Sequence, residues 1–194
     1  KQHWETVYRT RAADAVSWYR PHLDTSLALI EQAAPDRAAA IIDIGGGEAT
    51  LVDDLLARGY RQLSMLDISQ TAIAAARKRL GATAAQVTWL ADDITQAALP
   101  ARHFDVWHDR ALFHFLTGAG PRTMYVQQLA RSLKPGGHAI LATFGPQGPA
   151  KCSGLEVVRY DAASLLHALG PRFELVGSMT ELHHTPFGTT QQFT

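Results

Sequence analysis

The chain has 194 residues, 46% hydrophobic and 19% charged, which is enough for one domain with a substantial core and too short for two. Its 18 basic and 18 acidic residues cancel without forming a basic block, which argues against a nucleic-acid binder, and no apolar run approaches the ~18 residues of a membrane span. A single cysteine, Cys152, excludes an internal disulfide and points to a reducing compartment, so a cytoplasmic location is expected. The chain opens at Lys1 rather than methionine and stops within what reads as a strand, so trimming at both ends is expected.

Residues 1–40 carry two helical patterns separated by SWYRP and read as a helical extension. From Ile41 onward, short apolar runs alternate with helical patterns, as in a parallel sheet with crossover helices. AAIID is the first strand. A helix follows from Ala49 to Ala57, with Leu51, Val52, Leu55 and Leu56 on one face and Gly59 as its stop. QLSML is the second strand, and Ser69 caps a helix carrying Ala72, Ile73, Ala76 and Leu80 that ends at Gly81. QVTWL and FDVWH are the third and fourth strands. Pro121 opens a helix to about Ser132, and LKPGG turns into HAILATF, a run suited to a buried central strand. Asp161 caps the helix DAASLLHAL, FELVGSM is a sixth strand, and TTQQFT a seventh beside it. The expected architecture is a single doubly wound α/β domain over 1–194, with an extension at 1–40 and a core at 41–194. Its ligand belongs at the carboxyl ends of the strands.

The loop after the first strand reads Asp43-x-Gly45-Gly46-Gly47-Glu48-Ala49. A dinucleotide fingerprint starting at Gly45 would need glycine at position 50, where Thr50 stands. Gly45, Gly47 and Ala49 fit a G-x-G-x-G/A spacing instead. Glu48 puts an anion where a pyrophosphate would lie, which disfavours a nicotinamide-dependent oxidoreductase and suits a phosphate-free cofactor with a cationic centre. Asp67, beside Ile68, ends the second strand 20 residues after Gly47, a distance at which an acid takes both ribose hydroxyls. In WLADDIT, Asp92 or Asp93 can accept from an adenine amino group, with the Ile94 amide beside the ring. A plain βα turn, a helix cap or a solvated turn acid would explain any one segment alone. Together they describe adenosine bound without phosphates.

This pattern resembles the class I S-adenosylmethionine-dependent methyltransferases from Ile41 to about Thr194. IDIGGGEA matches their glycine motif, LDIS their ribose acid, ADDIT their adenine acid, and LKPGG the turn before their fifth strand; Ala49 replaces the third glycine. The resemblance implies a seven-stranded Rossmann-like sheet whose last strand is antiparallel. It also implies S-adenosylmethionine held by Asp43, Gly45, Gly46, Gly47, Asp67, Ile68, Asp92, Asp93, Ile94 and His108, with adenine recognition carried to Asp93 and Asp92 as its substitute.

Methyl transfer from a sulfonium is a direct displacement, so the enzyme mainly positions and desolvates the acceptor. The segment WHDRALFHFL lacks the Asn/Asp-Pro-Pro-Tyr motif of amide-nitrogen methyltransferases, which disfavours adenine-N6 and glutamine acceptors. FDVWHDRALFHFL instead resembles the thiopurine and tellurite-resistance group, which methylates soft sulfur, selenium or tellurium centres. That resemblance implies that Asp109 and Arg110 line the acceptor pocket and that His108 flanks the cofactor's methionine portion, and these three are the catalytic candidates. From the residues alone, Asp109 and Arg110 equally suit a strut that fixes the loop, and His114, between Phe113 and Phe115, suits either a substrate-binding base or a packed, hydrogen-bonded histidine. Arg110 suits an anionic acceptor or the cofactor's carboxylate. Trp18 and Tyr19 can close over a sulfonium, although Trp18 could equally plug the core. The long loop GPQGPAKCSGLEVVRY holds Cys152, either a thiophilic contact activated by Lys151 or an inert small residue.

His183 and His184 would point to opposite faces of a strand, so no metal site is expected. The reading is a small-molecule methyltransferase, a monomer or weak homodimer, with a soft nucleophile (thiol, selenium, tellurium or metalloid) as acceptor and neither nucleic-acid nor membrane partners. The rivals are a protein-lysine methyltransferase and a non-catalytic S-adenosylmethionine-binding module.

Overall fold

The computed structural model describes all of residues 1–194. Two helices, α1 (Gln2–Thr10) and α2 (Asp24–Ala33), precede a core of β1 (Ala40–Ile44), α3 (Leu51–Ala57), β2 (Gln62–Asp67), α4 (Gln70–Leu80), β3 (Val87–Ala91), β4 (Phe104–Arg110), α5 (Ala119–Ser132) and β5 (Leu133–Ala142). These five strands form one parallel sheet in the order β3-β2-β1-β4-β5. The chain steps outward from β1 to β3 and then crosses to the other side of β1. The carboxyl ends of β1 and β4 therefore meet at the switch point, where Asp43 is paired in register with His108 and Ile44 with Asp109.

Strand periodicity assigns the two faces. Ile41, Leu63, Met65 and Val106 pack with α2, α3 and α4 on one side, through Leu27, Ile30, Leu51, Leu55 and Ile73. Ile42, Ile44, Leu66 and Trp107 pack on the other side with Phe113, Tyr125 and Leu129 and with Leu165 and Leu169 of α6 (Ala162–Leu169). β1 is buried at all five positions, as expected of a central parallel strand covered on both faces. Ser69 caps α4 by accepting the Ala72 amide, and Asp161 caps α6 in a reciprocal box with Ser164.

The expected seven-stranded sheet is corrected to five strands. FELVGSM forms no strand, and Leu175, Val176 and Met179 are exposed. No neighbouring backbone offers it a ladder, and β propensity without a partner does not make a strand. Instead β8 (Glu181–His184) and β9 (Thr190–Phe193) form an antiparallel hairpin. It joins the chain just past β5 through the Phe144–Phe193 bridge, the paired Thr143 and Thr194 backbones, at 3.0 and 2.9 Å, and the Gly145 amide donating to the Gln192 carbonyl at 2.9 Å. A second small hairpin, β6 (Lys151–Cys152) with β7 (Leu155–Glu156), lies in the long loop. LKPGG, expected as a turn, is the irregular start of β5, and the β4–β5 register shifts there. α5 begins two residues before Pro121, which still falls in the first turn, where its missing N–H costs nothing.

Ile42 has no exposed surface and sits at the middle of β1. Ile42→Ala should cost about 3 kcal/mol of stability through the cavity it leaves, read as a lowered urea midpoint with an unchanged m-value.

Candidate active site

The loop after β1 is a cradle of bare backbone. Gly45 (φ 70°) and Gly47 (φ 56°) adopt left-handed conformations that favour glycine. A Cβ on Gly45 would lie 2.6 Å from the Leu112 side chain, and one on Gly46 would lie 2.5 Å from an Asp43 carboxylate oxygen. From behind, Arg79 of α4 donates to the carbonyls of Glu48 and Ala49 at 2.8 Å and pairs with Asp53 at 2.8 Å, fixing the turn. Asp67, buried at the end of β2, accepts the Gly47 amide at 2.9 Å and the Ser69 amide at 2.8 Å. Burial raises its carboxyl to about 6, against the pull of those two amides, and the nearby Asp43 and Glu5 charges add to the rise.

Helix α1 folds over this loop. Glu5 accepts from the hydroxyls of Thr71 (2.6 Å) and Ser69 and from the amides of Gln70 and Thr71 at the start of α4. The Thr71 hydroxyl foremost, with the amides, pulls this carboxyl down to about 2. One helical turn on, Tyr8 places its hydroxyl against Gly47, where a Cβ would meet it at 2.4 Å. Trp4 packs against both Trp18 (centroids 5.9 Å) and Phe115 (5.1 Å). Glu5 and Tyr8 belong to no recognisable motif in the sequence. The Trp4/Tyr8 spacing of one helical turn, on the same helix as Glu5, was the available signal.

Tyr8, Trp18, Tyr19, Arg20 and Arg110 share one cleft of about 550 Å³, open mouth included, with Asp43, Gly45, Gly46, Glu48 and His108. The expected site residues fall into distinct places. His108 is 1% exposed. A carboxylate only accepts, so its Nδ1–H donates to Asp43 (2.7 Å), which leaves Nε2 to accept from the Ser26 hydroxyl (2.9 Å). Both ring nitrogens are engaged, so His108 positions Asp43 and is not a free base.

Asp109 does not line the cleft with Arg110, which corrects that expectation. Successive strand residues face opposite ways, so His108 and Arg110 reach the cleft while Asp109 turns into the far core. There its carboxylate accepts from the Tyr125 hydroxyl (2.6 Å) and from the amides of Leu112 and Phe113, pinning a turn in which Ala111 takes a left-handed φ of 69°. The Tyr125 oxygen accepts in turn from Trp107 Nε1–H at 2.8 Å.

Cys152 is also corrected as a reactive thiol. It packs with Phe144 and Phe193, burial pushes it up to about 11, and the neighbouring Lys151 instead pairs with exposed Glu156 at 2.8 Å. His114 is wholly buried; Nδ1 accepts the Phe144 amide (3.1 Å), and burial, with Arg110 nearby, lowers the ring to about 3. Asp93 folds onto its own turn, accepting the Thr95 amide and hydroxyl, while Asp92 is exposed and accepts the Asp93 amide. Ile94 is buried, Ile68 half-buried. His183 is buried and His184 exposed, on opposite faces of β8, and no group of three or more His, Cys, Asp or Glu side chains is arranged to hold a metal ion. No helix is long and apolar enough to cross a membrane.

The parts fit a cationic nucleoside. Bare backbone admits a close approach, Asp43 and Glu48 face the cleft with negative charge, and buried Asp67 buttresses the loop through the Gly47 amide. This combination at the switch point of a 3-2-1-4-5 sheet defines a class I methyltransferase fold with S-adenosylmethionine as its cofactor. The chain belongs to the methyltransferase domain family, which residues 41–137, half of its length, match. Among curated proteins it resembles the Homo sapiens eEF1A lysine and N-terminal methyltransferase, 28% identical over 139 residues, covering 71% of this chain. It spans only 19% of that protein's length, about a fifth. Among solved structures it resembles one from work on the conversion of a disulfide bond into a thioacetal group during echinomycin biosynthesis, at 19% identity and TM-score 0.79, covering 99% of this chain and 89% of that one. It also resembles an S-adenosylmethionine-dependent methyltransferase of Anabaena variabilis ATCC 29413, at 16% identity and TM-score 0.73, with the same coverages.

Burial, foremost, raises the Asp109 carboxyl to about 6, while the Tyr125 hydroxyl lowers it by favouring the ionised form. Because the folded value lies above that of an ordinary carboxylate, ionising Asp109 costs stability as pH rises through about 6; the Tyr125 bond, which favours the ionised form, offsets part of that cost and so matters most above about pH 6. Tyr125→Phe should cost about 2 kcal/mol at pH 7.5 and clearly less at pH 5, measured from urea midpoints at the two pH values.

Proposed function

We propose that this domain transfers a methyl group from S-adenosylmethionine to a small-molecule acceptor with a soft nucleophile: a thiol, or a selenium, tellurium or metalloid centre. The observation that carries the reading is the single cleft in which the glycine cradle and the aromatic lid face each other. When bound, the cofactor supplies an electrophilic methyl on a sulfonium. Gly45, Gly46 and Gly47 give it backbone contact, Asp67 takes the ribose hydroxyls, Asp93 or Asp92 the adenine amino group, with Ile68 and the Ile94 amide beside them. Asp43, held by His108, which Ser26 fixes in turn, presents fixed negative charge to the cationic portion. Trp18, Tyr19 and Tyr8 enclose the sulfonium and exclude water. Both ring nitrogens of His108 are engaged and Asp109 faces the core, so neither serves as a base. That suits an acceptor attacking as a thiolate or other soft lone pair, for which positioning supplies most of the rate. The relative from echinomycin biosynthesis, whose described reaction is at sulfur, supports the same chemistry.

The name of the human relative favours a second reading, methylation of a protein amine. Arg20 and Arg110 line the acceptor side of the cleft with Glu181 as the one carboxylate between them, and two guanidiniums disfavour the approach of a lysine ammonium.

Calorimetric titration should show micromolar binding of S-adenosylmethionine and none of NAD. Asp67→Asn, which keeps the shape and one acceptor, should weaken cofactor binding roughly tenfold to a hundredfold. Because the Asp67 carboxyl sits at about 6 and takes the hydroxyls when ionised, affinity should fall as pH drops through that value. Preference for NAD would overturn the cofactor. A radiolabelled methyl screen that marks a protein amine and no thiol would replace the acceptor class, and a screen that marks nothing would favour a binding module.

A further inference from the structure

Asp67 is shut away from the cleft. It is 5% exposed and forms no part of the cleft wall, although Gly45, Gly46 and Glu48 of the neighbouring loop do. Two backbone amides hold its carboxylate, those of Gly47 at 2.9 Å and Ser69 at 2.8 Å. Helix α1 covers both of these residues. Tyr8 sets its hydroxyl against Gly47, where a Cβ would meet it at 2.4 Å. Glu5, about one turn earlier on the same face, takes the Ser69 hydroxyl at 3.1 Å.

Glu5 is the main tie between α1 and the core. Its two oxygens accept four donors: the hydroxyls of Ser69 and Thr71 (2.6 Å), and the amides of Gln70 (2.8 Å) and Thr71 (3.2 Å). Those amides open α4 and have no partner inside the helix, so the carboxylate completes them and meets the positive end of the helix dipole. The apolar hold is small by comparison. It rests on Val7, the one buried residue of α1, and on Trp4 against Trp18 and Phe115. A helix held mainly by one carboxylate opens at a cost well below that of global unfolding.

We propose that Glu5 is a positioning residue that latches α1 over Asp67 and so gates the entry and exit of the cofactor's nucleoside. The proposal rests on the methyltransferase reading, in which Asp67 takes the ribose hydroxyls. With the latch made, a ribose cannot pass between Tyr8 and Gly47 to reach that carboxylate. Entry and exit both require the Glu5 bonds to break, and α1 then closes behind the ligand. Such a gate slows association and dissociation by the same factor and leaves affinity unchanged. Loss of a direct contact to the ligand acts mainly on dissociation instead, and this difference separates the two roles.

The test follows S-adenosylhomocysteine binding by stopped-flow tryptophan fluorescence, for which Trp4 and Trp18 lie beside the lid. It compares the full chain with Glu5→Ala and with Thr71→Val, which removes the 2.6 Å bond from the other end. Both variants should raise the association and dissociation rate constants together, Glu5→Ala by at least about tenfold and Thr71→Val by about threefold, with Kd held within about threefold. In the double variant the effects should not add, because each change breaks the same latch. Rates within about twofold of the unmodified protein in both variants overturn the gate, and so do additive effects. Faster dissociation with unchanged association also overturns it, since Glu5 then supports only the bound ligand. Thr71→Val leaves the Glu5 contacts to the α4 amides in place, so it decides alone where Glu5→Ala fails to fold. Failure of the unmodified protein to bind S-adenosylhomocysteine at all overturns the methyltransferase reading, and the gate with it.

Discussion

The chain Asp43–His108–Ser26, with bonds of 2.7 and 2.9 Å and almost no exposed surface, fixes the relation between the parts of this site. It joins the end of β1, the end of β4 and the second helix of the extension. Each group would be costly to bury alone, and each is satisfied only when all three elements are in place. The Asp43 carboxylate lies against Gly46, so the same network sets the cradle's shape. Parallel pairing makes it possible, because register sets Asp43 beside His108.

The lid is held by polar contacts rather than by a large apolar face. Helix α1 buries only Val7 fully, and its hold on the core is the Glu5 carboxylate at the start of α4. The following segment is tied down through its carbonyls, Ser17 to His183 and Trp18 to Arg110. These contacts set Tyr8, Trp18 and Tyr19 along the wall of the cleft.

Burial divides the polar residues around the end of β4 into two sets. Asp109, Tyr125 and Trp107 form a closed set in which the principal donors and acceptors are matched, and their product is a fixed turn at Ala111. Arg110, His114 and His183 form an open set in which one polar atom of each is unmatched. A closed set of this kind specifies structure.

The sequence by itself determined the order of the core strands and crossover helices, the glycine loop, the caps at Ser69 and Asp161, and the acids at the ends of β1 and β2. These follow from local patterns: apolar runs, helical periodicity, and the need for bare backbone at Gly45 and Gly47. Period-two alternation even held the correction to Asp109, since neighbours on a strand cannot share a face. Only the tertiary structure decided that FELVGSM makes no strand, because strand identity depends on a partner that propensity does not name. It alone showed Glu5 reaching α4, Tyr8 reaching Gly47, and His183 meeting Ser17, contacts spanning 66, 39 and 166 positions of sequence. Whether a buried histidine or arginine is matched or left open depends on such distant partners, and no local pattern records them.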